Sequence, residues 1–247
     1  MNPPLLFSPI ALRGLQLKNR IVVAPMHQYA AVKGFPTDWH LMNAGRYAAG
    51  GAGLFFVEST KIERRGCGTV GDLGLWDDAF IPPLRRIADF TRACGAAVGI
   101  QLGHSGRKSR IARPWEGGRP LAPSPEIDDW DAWELVAPSA IPADAKSPVP
   151  RALERHEIRQ IAEDWGKATA RAHAAGFDVV ELHGAHGFLI HQFLSPQCGD
   201  LLQSGQQTTV LGHVVRLLTD EPRTFAERVA VRVQNHECVG RGAGIAA

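Results

Sequence analysis

One pattern repeats along the chain: a helical stretch rich in alanine, then a glycine, then a short apolar run that ends on a polar residue. The three copies lie at residues 48–58, 93–101 and 174–183. A glycine after a helix is a common C-terminal cap, and a short apolar run bounded by turn signals predicts a buried strand. Each copy therefore predicts a helix, a cap and a strand, in that order.

Apolar residues at helical spacing support the two later copies. They are Phe80, Leu84, Ile87, Phe90 and Cys94 before the second strand, and Ile158, Ile161, Trp165, Ala168 and Ala172 before the third. With an earlier apolar strand at 20–24, the chain contains four βα units, an alternation that indicates a parallel sheet covered by helices. A doubly wound sheet and a (β/α)8 barrel both fit this alternation.

No G-x-G-x-x-G follows the first strand, which favours the barrel over a dinucleotide-binding sheet. We therefore expect an α/β protein of the (β/α)8 TIM barrel class, of which about the first four βα units are present. In such a barrel the reactive groups follow the carboxyl ends of the strands. The polar residues at these ends are Pro25–His27, Glu58, Ser59, Gln101 and His183.

Composition excludes several classes of function. Lys and Arg total 27 and Asp and Glu total 25, so a net charge of +2 predicts no nucleic-acid partner. No apolar segment approaches the ~18 residues of a membrane span. The four cysteines show no CxxC spacing, so we expect reduced thiols, a cytoplasmic location and a small-molecule substrate.

The segment 103–150 is loop-like and rich in proline, and it contains Trp115, Trp130 and Trp133. Loops of this length are usually functional or disordered. Its aromatic residues favour an ordered segment that covers the rim.

His183 and His186 lie three residues apart at a strand-to-helix turn, and three interpretations are open. A metal-dependent hydrolase would use both as ligands, but the H-E-x-x-H pattern and a third ligand are missing. A histidine in this turn could instead cap the next helix or bind buried backbone groups. We prefer this structural role for His191. Two imidazoles at a barrel rim are also suited to bind a substrate oxygen that gains negative charge, which we favour for this pair.

Together these motifs resemble the old yellow enzyme family of NADH:flavin oxidoreductases, in its xenobiotic reductase-like branch. The matching segments, in the expected order, are 17–22 (LKNRIV), 24–29 (APMHQY), 38–40 (DWH), 51–54 (GAGL), 99–108 (GIQLGHSGRK), 114–117 (PWEG), 137–140 (APSA) and 183–196. The resemblance covers about residues 5–196. It implies an FMN-containing barrel in which NAD(P)H reduces the flavin and the flavin reduces enones, nitro compounds and other activated alkenes.

The resemblance also implies site residues by position. Ala24, Pro25, Met26 and His27 are expected beside the flavin ring, Ser59 close to it, and Gln101 at its pyrimidine edge. His183 and His186 are expected to hold the oxygen of the substrate, with Tyr29 as a nearby catalytic group.

Two residues differ from the family pattern. His27 stands where this branch has a cysteine that tunes the flavin, so we predict an altered potential or pH dependence. Phe188 stands where the family has a proton-donating tyrosine, so Tyr29 or water must supply the proton. We therefore expect slow alkene reduction beside normal reduction of the flavin.

After Pro196 the resemblance ends. We predict an N-terminal part of an FMN-binding barrel over 1–197 and a divergent tail over 198–247, with helical pieces at 210–218 and 222–233. A frameshift near residue 197 would explain the tail. An incomplete barrel has unpaired strand edges, so we expect a homo-oligomer if the chain folds; the alternative is an inactive fragment without flavin.

Overall fold

The computed structural model describes residues 4–195 and the backbone of residues 229–230. The helices are α1 (Asp38–Ala49), α2 (Ile81–Ala93), α3 (Arg155–Ala174) and α4 (Leu189–Leu194). The strands are β1 (Ile10–Leu12), β2 (Leu15–Leu17), β3 (Val22–Val23), β4 (Leu54–Lys61), β5 (Ala97–Gly103), β6 (Val136–Ala137), β7 (Arg151–Ala152), β8 (Val179–Leu182) and β9 (Val229–Ala230).

The central feature is a parallel sheet with the strand order β3-β4-β5-β8-β9. α1 connects β3 to β4, α2 connects β4 to β5, and α3 precedes β8. The predicted alternation of strands and helices is therefore confirmed, and its four strands lie where the apolar runs predict them. Because these strands are parallel, their carboxyl ends meet at one edge of the sheet, here called the rim.

The helices cover the sheet with the apolar faces that their spacing predicts. Ile158, Ile161 and Trp165 of α3 are buried, as are Leu84 and Ile87 of α2. Phe90 differs from the prediction, since 46% of it is exposed. Its ring lies against α1 at Gly45, where an added Cβ would be 2.5 Å from Cε1 of Phe90, so it packs between two helices rather than in the core.

The covering segment, here called the lid, comprises residues 104–150 and follows β5. It contains two short 3-10 helices and β6, which pairs with β7. Trp133 is fully buried, and its indole N–H donates to the carbonyl oxygen of Cys67 at 2.8 Å. Trp115, in contrast, is 67% exposed. One tryptophan therefore anchors the lid.

Three features correct the sequence predictions. β1 and β2 form an antiparallel hairpin that was not predicted, because strands of three residues carry almost no periodic signal. Gly103, predicted as loop, ends β5. Val229–Ala230 is a strand parallel to β8, although a helix was predicted over 222–233; pairing with a sheet edge overrides a weak local preference.

The other predictions for the tail, including a helix over 210–218 and a boundary at residue 197, lie outside the described residues. No helix in the described part of the chain has the length and apolarity to cross a membrane. The cytoplasmic location stays a prediction.

Candidate functional site

The register of the sheet brings the predicted polar residues together at the rim. Ser59 of β4 pairs with Gln101 of β5, and Gln101 pairs with Glu181 of β8. The backbone N–H of His183 donates to the carbonyl oxygen of Leu102 at 2.9 Å, which continues this pairing past the end of β8. Three strands thus place their polar side chains at one level of the rim.

His183 and His186 form a pair at the turn after β8. Nδ1 of His183 accepts the backbone N–H of Ala185 at 3.3 Å, which places the ring proton on Nε2. That Nε2 lies 3.4 Å from Nδ1 of His186. Nδ1 of His186 accepts the Nε2–H of His183, so the ring proton of the exposed His186 lies on its own Nε2, which remains a donor.

The charge state of His183 follows from its surroundings. Burial, together with the charges of Lys61, His186 and His27, lowers the pKa of His183 to about 3. Only 7% of His183 is exposed. The ring is therefore neutral at physiological pH and acts as a hydrogen-bond donor rather than a cation.

Gln101 and Ser59 are each engaged with one partner. The amide nitrogen of Gln101 donates to Oε1 of Glu181 at 2.8 Å, which leaves its carbonyl oxygen and second N–H available for another group. Oγ of Ser59 accepts from Nζ of Lys61 at 3.2 Å. Both side chains are held in place before any ligand binds.

The loop after β3 carries five of the predicted residues. Ala24 and Met26 are exposed, and Pro25 and His27 are half-buried. The ring of Tyr29 stacks on that of His27 with centroids 5.2 Å apart. Burial, followed by the charges of Asp72 and Glu58, raises the pKa of the Tyr29 phenol.

Glu58 organises this part of the site, and the sequence analysis missed its role. Its Oε2 lies 3.2 Å from Nδ1 of His27 and accepts the backbone N–H of Gln28 at 2.9 Å. Its Oε1 lies 3.1 Å from Nε2 of His40. Burial alone would raise the pKa of Glu58, but the contacts with the imidazoles of His27 and His40 and the hydrogen bond from the Gln28 backbone outweigh it and lower that pKa. A glutamate inside the apolar run 54–58 was the available signal.

A second buried charge was also missed. Lys61 has a fully buried side chain, and its Nζ lies 3.5 Å from Oδ2 of Asp72. Asp72 also accepts from the backbone N–H of Gly68 and the hydroxyl of Thr69, both at 2.7 Å. The register places Lys61 opposite Gly103, at the end of the strands. A positive charge is therefore fixed within the rim.

A cavity of about 660 Å³ opens at the rim, and His27, Tyr29, Asp72, Lys108 and Phe188 contribute to its wall. The Phe188 ring lies 4.5 Å from the ring of His183, measured between centroids. Nζ of Lys61 lies 5.2 Å from the same ring centroid, and Nζ of Lys108 lies 6.0 Å from it. Phe188 thus joins the histidine pair to the cavity.

The other interpretations of the histidines can be compared with this geometry. Nδ1 of His191 accepts the backbone N–H of Gly187 at 3.1 Å, the structural role that was preferred for it. Within residues 4–195, no cluster of three or more His, Cys, Asp or Glu side chains has a geometry suited to a metal ion. Among residues 4–195, therefore, no side chain supplies the third ligand that a metal-dependent hydrolase needs.

A parallel βα sheet whose strand ends carry a histidine pair, an amide and a serine at one rim is the arrangement of an α/β chain of the barrel type. The family model of the NADH:flavin oxidoreductase / NADH oxidase family matches residues 5–203. The chain belongs to this family.

Curated relatives agree with the family match. The chain is 44% identical over 191 residues to NADH:flavin oxidoreductase FG08077 of Gibberella zeae, a match that covers 77% of this chain and 46% of the relative. It is 43% identical over 193 residues to NADPH dehydrogenase of Listeria monocytogenes, covering 77% of this chain and 51% of the relative. The chain thus spans about half the length of the curated relatives it matches.

Solved structures show the same fold. Morphinone reductase superposes with a TM-score of 0.77 at 29% identity, covering 94% of this chain and 62% of that one. The old yellow enzyme from Trypanosoma cruzi superposes with a TM-score of 0.76 at 26% identity, covering 93% and 65%. The resemblance to the old yellow enzyme family is therefore confirmed, while the roles of the individual site residues stay predictions.

Proposed function

We propose that this chain carries the substrate-polarising part of an FMN-dependent NAD(P)H oxidoreductase that reduces activated alkenes, such as enones and nitroalkenes. The observation that carries the proposal is the pair of neutral His183 and its neighbour His186, which Phe188 connects to the rim cavity. Family membership supports the oxidoreductase class. Among the similar solved structures is morphinone reductase in complex with tetrahydroNAD, which supports a nicotinamide donor.

The residues at the rim fit the ring of a flavin. Gly103 lets Ser59 and His183 approach the end of β5 closely, because an added Cβ there would overlap Oγ of Ser59 and lie 3.6 Å from Cβ of His183. Gln101 keeps an amide oxygen and an N–H for the edge of a planar heterocycle. Ala24 and Pro25 offer small surfaces beside it. The phosphate loops of a barrel follow its seventh and eighth strands, beyond the βα units described here.

When bound, FMN would accept a hydride from NAD(P)H and transfer it to the acceptor. The chain's own contribution is polarisation: the carbonyl or nitro oxygen of the acceptor would replace Nδ1 of His186 as the partner of the Nε2–H of His183, and it would accept a second hydrogen bond from the Nε2–H of His186. Hydride addition places negative charge on that oxygen, so donors fixed in advance stabilise the transition state more than the ground state. A neutral His183 suits this role, since its Nε2–H is oriented by the Ala185 backbone.

The proton that completes alkene reduction needs another source, because Phe188 has no acidic hydrogen. Tyr29 lines the same cavity and is one candidate, and water is another. A missing general acid slows a reaction by about 100-fold to 10,000-fold. Without a side chain that takes this role, alkene reduction would be slow beside normal reduction of the flavin.

The test uses the full chain incubated with FMN, followed by stopped-flow measurement of both half-reactions with NADPH and cyclohexenone. His186→Leu is expected to weaken binding and reduction of cyclohexenone at least 10-fold and to leave reduction by NADPH unchanged. His156→Gln is the matched control, since this histidine lies at the start of α3 with 74% of its side chain exposed. A chain that binds no FMN contradicts the proposal and supports an inactive fragment.

An oligomer is a further part of the proposal. Within the described residues β3 has β4 as its sheet neighbour on one side, and Val22 on β3 is 49% exposed. Exposed apolar edge strands favour pairing with a second chain. Size-exclusion chromatography with light scattering should therefore give a homo-oligomer, and a monomer at all concentrations would contradict this.

A further inference from the structure

The wall of the rim cavity contains an imidazole that is oriented by a buried carboxylate. The side chain of His27 is 21% exposed, whereas that of Glu58, 3.2 Å from its Nδ1, is 1% exposed. His27 also lines the cavity together with Tyr29 and Phe188. One ring nitrogen is therefore bound to the protein interior, and the other side of the ring lies at the cavity.

Glu58 can act only as an acceptor in this arrangement. Nδ1 of His40 accepts the backbone N–H of Thr37 at 2.9 Å, which places the His40 proton on Nε2, the atom that faces Glu58. The backbone N–H of Gln28 is a second donor to Glu58. With the carboxylate ionised, Nδ1 of His27 must carry a proton to make the third contact. The remaining nitrogen, Nε2, is then the site at which His27 gains or loses its second proton.

We propose that His27, oriented by Glu58, is the acid that protonates the reduced acceptor; this rests on the function proposed above. Hydride addition to one alkene carbon leaves an electron pair on the neighbouring carbon. The N–H bond at Nε2 of the imidazolium breaks, and its proton forms the new C–H bond. The ring becomes neutral, its Nδ1–H still donates to Glu58, and solvent returns the proton to Nε2.

The groups around His27 favour this assignment. Glu58 on β4 and Asp72 in the loop after β4 both interact with the His27 charge, and negative groups stabilise an imidazolium. The positive charge of Lys61 lies beside Asp72, and His183 faces His27 from the end of β8 as a neutral ring.

The neighbouring candidates are weaker acids. Phe188 has no acidic proton, and burial, with Asp72 and Glu58, raises the pKa of the Tyr29 phenol, which makes it less ready to release its proton. The phenol ring instead stacks on His27 at an interplanar angle of 22°. Tyr29 therefore supports the position of the imidazole.

The first experiment needs no flavin. Long-range ¹H–¹⁵N NMR of the full chain reports which nitrogen of each neutral histidine carries the proton, and His27→Gln identifies the His27 signals. We expect the Nδ1–H tautomer for His27 in the wild type and a shift toward Nε2–H in Glu58→Gln, with the signals of exposed His156 unchanged in both. An Nε2–H tautomer in the wild-type protein overturns the proposal even if Glu58→Gln does not fold.

The second experiment measures the half-reactions of the FMN-loaded chain. His27→Gln is expected to slow cyclohexenone reduction by about 100-fold to 10,000-fold, a much larger effect than any change in the rate of flavin reduction by NADPH. The wild-type rate should fall with rising pH, and this fall should disappear in His27→Gln. If Tyr29→Phe removes the pH dependence and His27→Gln does not, the phenol is the acid and the proposal is wrong. If the chain binds no FMN, the proposed function is contradicted. The NMR experiment, which needs no flavin, then still tests whether Glu58 holds the proton of His27 on Nδ1.

Discussion

The rim and the lid both contain ion pairs, but they place them in different surroundings. At the rim, the side chains of Lys61 and Asp72 are 0% and 1% exposed. Lys33 and Asp128 connect the loop after β3 to the lid at 2.5 Å, and their side chains are 68% and 62% exposed. A Lys–Asp ion pair therefore contributes differently in the two places. A buried charge is stabilised mainly by its partner, whereas an exposed charge is stabilised by water.

The difference also concerns what the pairs do. At the rim, buried charges determine which nitrogen of a histidine carries a proton and whether His183 is charged. In the lid, one buried tryptophan fixes the position of a segment with little regular structure, and the Lys33–Asp128 pair lies at its exposed surface. The buried charged groups are thus concentrated at the rim, where the proposed reaction takes place.

The largest expected effect comes from Lys61→Met, which keeps the length of the side chain and removes its charge. Asp72 would then be buried without its counter-ion, so we expect a loss of about 3 to 5 kcal/mol in the free energy of unfolding. Urea denaturation of the variant and the wild type measures this loss. The double variant Lys61→Met, Asp72→Asn should recover more than half of the loss, and a single variant of wild-type stability would contradict the buried pair.

A smaller effect is expected from the pH dependence of His183. Burial, with Lys61, His186 and His27, lowers the pKa of His183 to about 3, so the unfolded chain binds a proton that the folded chain does not. Its contribution to stability is complete above pH ~6.5 and is lost as the pH falls toward ~3. Between pH ~6.5 and ~4.5, the wild type should lose about 2 to 3 kcal/mol more than His183→Asn.

Urea denaturation at the two pH values checks this, with His156→Gln as the control that keeps the wild-type pH dependence. Parallel stability curves for the wild type and His183→Asn would show that His183 is not held neutral by its surroundings.

The smallest effect is expected in the lid. Trp133→Phe keeps the aromatic packing and removes the N–H that donates to the carbonyl oxygen of Cys67. An unsatisfied buried carbonyl group should cost about 1 to 2 kcal/mol, again measured by urea denaturation. Lys33→Ala should leave the urea midpoint within experimental error, because this pair is exposed. A larger effect of Lys33→Ala would remove the distinction between the two regions.

Much of the candidate site could be predicted because its residues lie at the ends of strands, which the apolar runs of the sequence indicate. Ser59, Gln101 and His183 each follow an apolar run, and parallel strands bring their carboxyl ends together. The contact of Glu58 with His27 and His40 could not be predicted in this way, because it joins a strand, a loop and a helix. The Lys61–Asp72 pair likewise depends on the path of the loop between them.

The sequence by itself determined the alternation of the four central strands with their helices, the glycine caps and the polar strand ends, since these follow from the spacing of apolar residues along the chain. The tertiary structure decided which charges are buried together, which nitrogen of each histidine carries the proton, and that Val229–Ala230 pairs with β8. The physical reason is that burial and hydrogen bonding depend on neighbours distant in sequence, and spacing along the chain carries no record of them.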